Sequence, residues 1–224
     1  MTPALESSKS LRVVTIPVRG ADLEAELVVP AHPAALTLLC HGVGASRHHD
    51  RSAALARDLQ EIAIATLSVD LLTLSEERAD SRTHHFRYDI ELLGERLVAV
   101  VDWARRQRDL SALPLAIIGS GTASGAALAA AADRPEVVKA VISRAGRPDL
   151  AGPALRHVVA PVLLIAGGTD YRLIELNTDA IRHLTCVKKL ELILEGGHLL
   201  DEPTSIDAVA ALAGQWIREH VVRS

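Results

Sequence analysis

The chain places one carboxylate and one imidazole directly after two predicted buried strands. Asp170 follows the apolar run PVLLIAG (161–167), and His198 follows KKLELILE (188–195). An imidazole accepts protons near neutral pH, and a neighbouring carboxylate fixes its tautomer and stabilises the imidazolium. A lone histidine or aspartate in a loop is usually structural. This pair, in this order and at these strand ends, instead predicts a general base with an orienting carboxylate.

The chain lacks a nucleophilic side chain at the turn where a hydrolase with this histidine–aspartate pair would carry one. The stretch LPLAIIGSGTASGAALAAAADRP (113–135) predicts a buried strand, a turn of small residues and an Ala-rich helix, the setting of a G-x-S-x-G nucleophile. Aligning the glycines puts Ala123 at the middle position. Aligning the strand and the helix puts Gly121 there, between the small residues Gly119 and Ala123. We favour Gly121, because the strained backbone of a nucleophile costs other residues about 1–3 kcal/mol.

Three hydroxyl residues surround this position. Ser120 is expected to point away from the cleft, and Thr122 and Ser124 have the residue types that cap helices. A relocated nucleophile at Ser120 or Ser124 is an alternative, as is attack by a water molecule that His198 activates. Losing the serine of a Ser-His-Asp catalytic triad can lower kcat about a millionfold, so attack by a water molecule would be slow.

A second group of polar residues follows the third predicted strand, in CHGVGASRHHDR (40–51). Gly42 and Gly44 allow a tight turn whose backbone N–H groups can stabilise an oxyanion. Ser46, Arg47 and His48 would donate to a ligand or, alternatively, form a solvated loop and helix cap. The charged segment 75–89 predicts a surface loop over the site.

Arg144 lies just past the sixth predicted strand. It would bind a ligand carboxylate or, alternatively, form an ion pair with Asp149 or Asp89. The residues predicted to contact a ligand are His41, Gly42, Gly44, Ser46, Arg47, His48, Ser120, Ala123, Ser124 and Arg144.

Apolar runs predict eight strands, and periodic or Ala-rich segments between them predict helices. The first two runs, joined by RGAD, indicate an antiparallel hairpin, and the later runs lack polar alternation, as in parallel strands buried on both faces. The predicted strands are 11–18, 23–30, 35–40, 62–70, 113–119, 138–143, 161–167 and 188–195. The predicted helices are 51–61, 88–107, 124–132, 173–184 and 205–222. This order predicts an α/β fold with a mostly parallel, eight-stranded, doubly wound sheet that binds ligands beyond the carboxyl ends of its strands.

Composition narrows the class of protein. The 224 residues suit one domain over 1–224, with 1–10 as a loose N-terminal segment. A net charge of −4 without a basic face argues against nucleic acid, and the apolar runs are too short to span a membrane. The N-terminus lacks a signal-peptide pattern, and the two cysteines are isolated. We expect a cytoplasmic monomer or homodimer without metal or cofactor, since no metal-ligand spacing occurs.

These motifs resemble the dienelactone hydrolase-like branch of the α/β-hydrolase family, in its small bacterial form without a cap domain. The resemblance covers nearly all of residues 10–222, and the motifs that carry it are HGVGASRHHDR, VDLLT, FRYDIELLGERL, SRAGRPDLAG, LLIAGGTDYRLIELN and GGHLLDEP. It implies an α/β-hydrolase fold, with Asp170 and His198 as triad acid and base and backbone oxyanion donors at Val43 and Thr122. It also implies ester or lactone hydrolysis, but this chain departs from the family pattern at the nucleophile position, where Gly121 stands.

Three functions stay open at this point. The first is a pseudo-hydrolase that binds a small molecule. The second is an enzyme that uses His198 and Asp170 for proton transfer, as in a lyase, isomerase or cyclase. The third is an active ester or lactone hydrolase using Ser124, Ser120 or water. In each, the partner would be a small ester, lactone or carboxylate-like ligand.

Overall fold

One eight-stranded sheet organises the chain in the computed structural model, which describes residues 9–41 and 46–223. The strands are β1 (Ser10–Val18), β2 (Ala21–Val29), β3 (Ala35–His41), β4 (Ile64–Asp70), β5 (Leu115–Ser120), β6 (Val138–Arg144), β7 (Val162–Gly167) and β8 (Lys188–Ile193). Their spatial order is β1-β2-β4-β3-β5-β6-β7-β8. β2 pairs antiparallel with β1 and β4, and the pairs from β4 through β3 to β8 are parallel. The predicted hairpin and the mostly parallel sheet are therefore confirmed.

Helices cover both faces of this sheet. They are α1 (Asp50–Glu61), α2 (Leu74–Thr83), α3 (Ile90–Arg106), α4 (Ala123–Asp133), α5 (Tyr171–His183) and α6 (Pro203–Ile217). Apolar residues of α1 and α6 form one buried cluster with the sheet, and those of α3, α4 and α5 form a second cluster on the other face. Within the two described ranges, no helix is both long and apolar enough to cross a membrane.

Burial on both faces explains why the central strands lack polar alternation. In β5, Ile117 packs in the cluster with α3, α4 and α5, whereas Ala116 and Ile118 pack in the cluster with α1 and α6. Successive side chains of a strand point to opposite faces, so a strand covered on both faces needs apolar residues at every position. The same arrangement brings the carboxyl ends of the parallel strands to one edge.

The junction from β5 to α4 needs small residues, as the sequence predicted. A β-carbon on Gly119 would lie 2.7 Å from the carbonyl oxygen of Ala123 and 2.7 Å from the Cα of Ser124. Such contacts are far inside van der Waals distance, so only glycine allows the helix to start this close to the strand.

Two sequence predictions need correction in the fold. The segment 75–89, predicted as a loop, contains α2 and a short 3₁₀ turn. A capping box starts α2: Thr73 Oγ1 accepts from the N–H of Glu76 at 3.3 Å, and the Glu76 carboxylate accepts from the N–H of Thr73 at 2.8 Å. The predicted loose segment 1–10 overlaps β1 at Ser10, and residues 1–8 lie outside the described residues.

Candidate active site

The loops after β7 and β8 bring Asp170 and His198 together. Asp170 Oδ2 forms a hydrogen bond with His198 Nδ1, and Asp170 Oδ1 accepts from the backbone N–H of Leu173 at 2.9 Å. The second contact makes Asp170 the N-cap of α5. The His198 side chain is 68% exposed and the Asp170 side chain 16%. A largely buried carboxylate thus holds one ring nitrogen, and no described residue bonds Nε2.

The charge of Asp170 follows from these contacts. Burial raises the pKa of Asp170. Hydrogen bonds from His198 and the Leu173 backbone, together with the positive charge that His198 can carry, lower this pKa by more than burial raises it. The net pKa of Asp170 therefore lies below its ordinary value. The carboxylate stays ionised at neutral pH, where it can orient the imidazole and stabilise an imidazolium.

Backbone contacts fix the loop that carries His198 against the loop that carries Asp170. Gly168 N–H donates to the Ile193 carbonyl at 2.7 Å, and Thr169 Oγ1 donates to the Gly196 carbonyl at 2.9 Å. Gly197 N–H donates to Glu202 Oε1 at 2.9 Å. The separation of the two side chains is thus set by hydrogen bonds between the two loops and within the His198 loop.

Gly167→Ala should disturb this arrangement. A β-carbon at Gly167 would overlap the carbonyl oxygens of Gly196 and Gly197, which are backbone atoms that cannot rotate away. We expect a loss of about 1–3 kcal/mol in the free energy of unfolding, measured by urea denaturation, because the His198 loop must move. Gly94→Ala is the matched control, since its β-carbon would lie 3.5 Å from that of Ala129, an ordinary contact. Equal stability of the two variants would contradict this account of the loop.

Gly121 forms the turn between β5 and α4. Its φ is +60°, a left-handed value that favours glycine, and a β-carbon placed on it would meet no atom within 4 Å. Its carbonyl accepts from the N–H groups of Ser124 at 3.2 Å and Arg147 at 3.0 Å. Ala123, by contrast, is the first residue of α4 and is fully buried. The turn therefore presents open space above Gly121.

Two of the three hydroxyl residues near the turn, Thr122 and Ser124, do not cap α4 as predicted. Ser124 is fully buried, and its Oγ donates to the Gly119 carbonyl at 2.8 Å instead of capping α4. Thr122 occupies the N-cap position without a side-chain capping bond. Ser120, at the end of β5, is 7% exposed. The structure therefore does not offer Ser124 or Ala123 as ligand contacts, because burial leaves neither side chain accessible.

Arg144 does not form either of the predicted ion pairs. It is 3% exposed, and its Nη2 donates to the carbonyls of Leu200 at 2.8 Å and Leu199 at 3.4 Å. Arg147 instead pairs with Asp149 at 2.7 Å. Arg144 thus holds the backbone just after His198 and does not face an open cleft.

The guanidinium of Arg47 is also committed to a structural role. It bonds Asp70 Oδ2 at 2.9 Å and pairs with the Glu24 carboxylate, and the Arg47 N–H donates to Asp70 Oδ1 at 2.9 Å. These contacts tie the segment before α1 to β2 and β4. The ligand contact of Arg47 stays a prediction, since the guanidinium already has this structural role.

The other predicted contacts fall into three groups. His41 is 5% exposed, with Nδ1 3.4 Å from Ser52 Oγ, so it is buried and not presented to solvent. His48 is exposed and Ser46 half-buried, so both are accessible. The predicted oxyanion turn, which comprises Gly42, Val43 and Gly44, lies outside the described residues.

Comparison with known proteins decides the family. No family model matches the chain. A crystal structure of a dienelactone hydrolase from Anabaena variabilis shares 44% sequence identity and a TM-score of 0.90, covering 95% of this chain and 99% of that one. The chain belongs to the dienelactone hydrolase family. Est1E from Butyrivibrio proteoclasticus, at 18% identity and a TM-score of 0.74, shares the fold of this dienelactone hydrolase-family chain.

Curated relatives of this dienelactone hydrolase-family chain are longer proteins. Two proteins from strains of Mycobacterium tuberculosis, both named "Putative phosphoribosyl transferase", are 42% identical over 206 residues. The match covers 92% of this chain and 44% of each relative. The chain thus spans less than half the length of the curated relatives it matches.

In this dienelactone hydrolase-family chain, the sequence gives little indication of some residues that position the site. Asn177 is fully buried and donates to the Gly146 carbonyl at 3.0 Å and the Leu173 carbonyl at 2.8 Å, so it braces α5 against the loop after β6. Glu202, which bonds the N–H of Gly197, was not predicted. Its only sequence signal is its place before Pro203, at the N-cap of α6.

Proposed function

We propose that this chain does not hydrolyse esters through a serine and instead uses His198 as a general base on a small carbonyl ligand. The observation that carries the proposal is the turn at Gly121, which has a left-handed backbone and open space but no side chain. In the α/β-hydrolase fold, the strained strand-to-helix turn carries the nucleophile. Gly121 occupies that turn, so the position has no attacking group.

Retention of the base and its carboxylate favours proton transfer over binding alone. A protein that only bound its ligand would not need Asp170 hydrogen-bonded to His198 Nδ1 with Nε2 free to accept a proton. The ligand would be an ester, lactone or carboxylate-like molecule whose carbonyl lies over Gly121. By the family resemblance, backbone N–H groups of Thr122 and of Val43, which lies outside the described residues, would stabilise the developing oxyanion. Such a proton transfer next to a carbonyl can serve a lyase, isomerase or cyclisation reaction.

The serine alternatives have less support. An attacking hydroxyl must reach the ligand and share a hydrogen bond with its base. Ser124 Oγ is fully buried and already bonded to the Gly119 carbonyl, and Ser120 is 7% exposed. The transferase name of the longer relatives does not assign a reaction to this chain, because it belongs to proteins more than twice as long as the matched region.

Fluorophosphonate labelling of the wild-type chain tests the absence of a serine nucleophile. Intact-mass measurement should show no adduct under conditions that label a Gly121→Ser variant, because neither Ser120 nor Ser124 presents an activated hydroxyl. Peptide mapping that located an adduct on either serine of the wild type would overturn the proposal in favour of a relocated nucleophile.

Isomerisation of α-angelica lactone to its β isomer tests the general base, since this reaction removes a proton next to a carbonyl. The reaction is followed by NMR in deuterated water, with His198→Asn as the control. Faster isomerisation and deuterium uptake with the wild type would support proton transfer by His198. Equal rates, with lactone binding retained, would favour a pseudo-hydrolase that only binds.

A further inference from the structure

Polar residues line up across the sheet beneath the His198 loop. In the strand register, His41 of β3 pairs with Ser120 of β5, which pairs with Arg144 of β6. Residues in register on neighbouring parallel strands point to the same face. The residues two positions earlier on these strands belong to the cluster with α1 and α6, and they are Leu39, Ile118 and Ile142. His41, Ser120 and Arg144 therefore all point to the α1 and α6 face.

Arg144 is a buried charge that forms no ion pair within 4.0 Å in the described part of the chain, and Asp201 is the acid that acts on it from further away. Its side chain reaches only backbone carbonyls, and its buried Nε has no hydrogen-bond partner among the described residues. Arg144 is 3% exposed, and no described carboxylate oxygen lies within 4.0 Å of its guanidinium. Buried charges in proteins are ordinarily paired, because an uncompensated one is costly.

A second guanidinium approaches the same place from α1. The side chain of Arg51 is 11% exposed and pairs with Asp201 at 4.0 Å. Burial, with a further contribution from the charge of Arg51, lowers the pKa of Arg144 to about 10, although the Asp201 carboxylate acts in the opposite direction. Both guanidinium groups contact residues 199–201, just after His198, so two positive charges that repel each other meet the single carboxylate of Asp201 there.

His41 adds a neutral donor to these two cations. Its Nε2 is buried with no partner among the described residues, while Nδ1 lies near Ser52. Burial, together with the charges of Arg144 and Arg51, lowers the pKa of His41 to about 3. The ring is therefore neutral at physiological pH and does not supply the missing negative charge.

We propose that a small inorganic anion of halide size binds between Arg144, Arg51 and His41, on the α1 and α6 face beneath the His198 loop. Such an anion would accept from Arg144 Nε and His41 Nε2 and offset the repulsion between the guanidinium groups. Its size follows from burial, because the three side chains leave little access for a larger group. Since Arg144 and Arg51 both hold residues 199–201, the bound anion would stabilise the backbone next to His198. This proposal does not depend on the proposed function.

Thermal unfolding in sodium chloride, against sodium gluconate at constant ionic strength, tests the site on the full chain. The wild-type midpoint should rise and saturate with chloride, by about 5 °C at a hundredfold excess over Kd. Arg144→Gln and Arg51→Gln should abolish the saturating rise. Arg172→Gln, which changes an arginine with a 72% exposed side chain, should keep it. Should Arg144→Gln fail to fold, Arg51→Gln decides.

Crystals grown in sodium bromide locate the anion directly. An anomalous peak within hydrogen-bond distance of His41 Nε2 and Arg144 Nε would support the proposal. The proposal is overturned if no peak appears there and the Arg51→Gln, Arg172→Gln and wild-type chains respond alike to chloride. In that case the backbone carbonyls and water alone balance the charge of Arg144.

Discussion

Gly121→Ser is expected to gain fluorophosphonate labelling and to hydrolyse a small aryl ester at least about a hundredfold faster than the wild type. The gain follows from the reverse change, because removing the serine of an assembled triad can lower kcat about a millionfold. The new side chain has room, since a β-carbon at Gly121 meets no atom within 4 Å. Asp170 and His198 are already hydrogen-bonded. If the proposed function is right, the variant supplies the nucleophile that this site lacks.

The same substitution should cost stability. A serine at a φ of +60° is strained, so we expect a loss of about 1–3 kcal/mol in the free energy of unfolding. Gly121→Ala is the matched control, because it introduces the same strain without a hydroxyl. It should lose similar stability and gain neither labelling nor turnover.

A double variant separates a revived site from an accidental nucleophile. Adding His198→Asn to Gly121→Ser should remove the gained turnover, since the serine then has no base. A folded Gly121→Ser variant that resists labelling would show that the nucleophile position lies elsewhere or that the rest of the site is not assembled.

Glu76→Leu is expected to destabilise the fold by about 3–5 kcal/mol. Arg96 is 2% exposed and bonds the Glu76 carboxylate at 2.6 and 2.7 Å. Removing Glu76 leaves the Arg96 charge buried with only the Leu71 carbonyl as a described partner, and it also removes half of the capping box of α2. Urea denaturation measures the loss.

A double-mutant cycle identifies the cause of this loss. Glu76→Leu with Arg96→Leu should recover part of the stability, because no buried charge is then left unpaired. Arg19→Leu, which breaks the exposed pair with Glu95, should cost less than about 1 kcal/mol. If the double variant were no more stable than Glu76→Leu alone, the unpaired charge would not be the cause.

The pH dependence of stability should report the same ion pair. Hydrogen bonds from Arg96 outweigh burial and lower the pKa of Glu76 from 4.5 to about 2. A carboxylate with a depressed pKa contributes stability that is fully present above pH 4.5 and lost as the pH falls towards 2. Unfolding free energies across this range should therefore fall less steeply in Glu76→Leu than in the wild type.

Local sequence patterns were sufficient for most of the fold. Apolar runs such as PVLLIAG (161–167) became β7 within a residue of their predicted limits, because a strand buried on both faces has few polar options. The exception was the segment 75–89, which was predicted as a loop because it is rich in charged residues but contains most of α2. Thr73 and Glu76 form a recognisable capping-box pattern, but the buried partner of Glu76 is Arg96, twenty residues further along the chain. A window of local sequence does not contain that contact.

The polar residues near the site were harder to assign. Arg144 and Arg47 were predicted to meet a ligand, but Arg144 bonds the backbone after His198, and Arg47 bonds Asp70 and Glu24. Residue type shows that a guanidinium can bind an anion or a carbonyl, but not which partner the fold brings within reach.

The sequence by itself determined the order of elements, the family resemblance and the absence of a nucleophilic side chain at either Gly121 or Ala123. These follow from residue types and their spacing along the chain. Only the tertiary structure decided that Gly121 takes the left-handed turn, that Ser124 is buried, and that His198 meets Asp170. Backbone dihedrals, burial and contacts between distant residues depend on how strands and helices pack, and that packing joins residues such as Asp170 and His198 from separate loops.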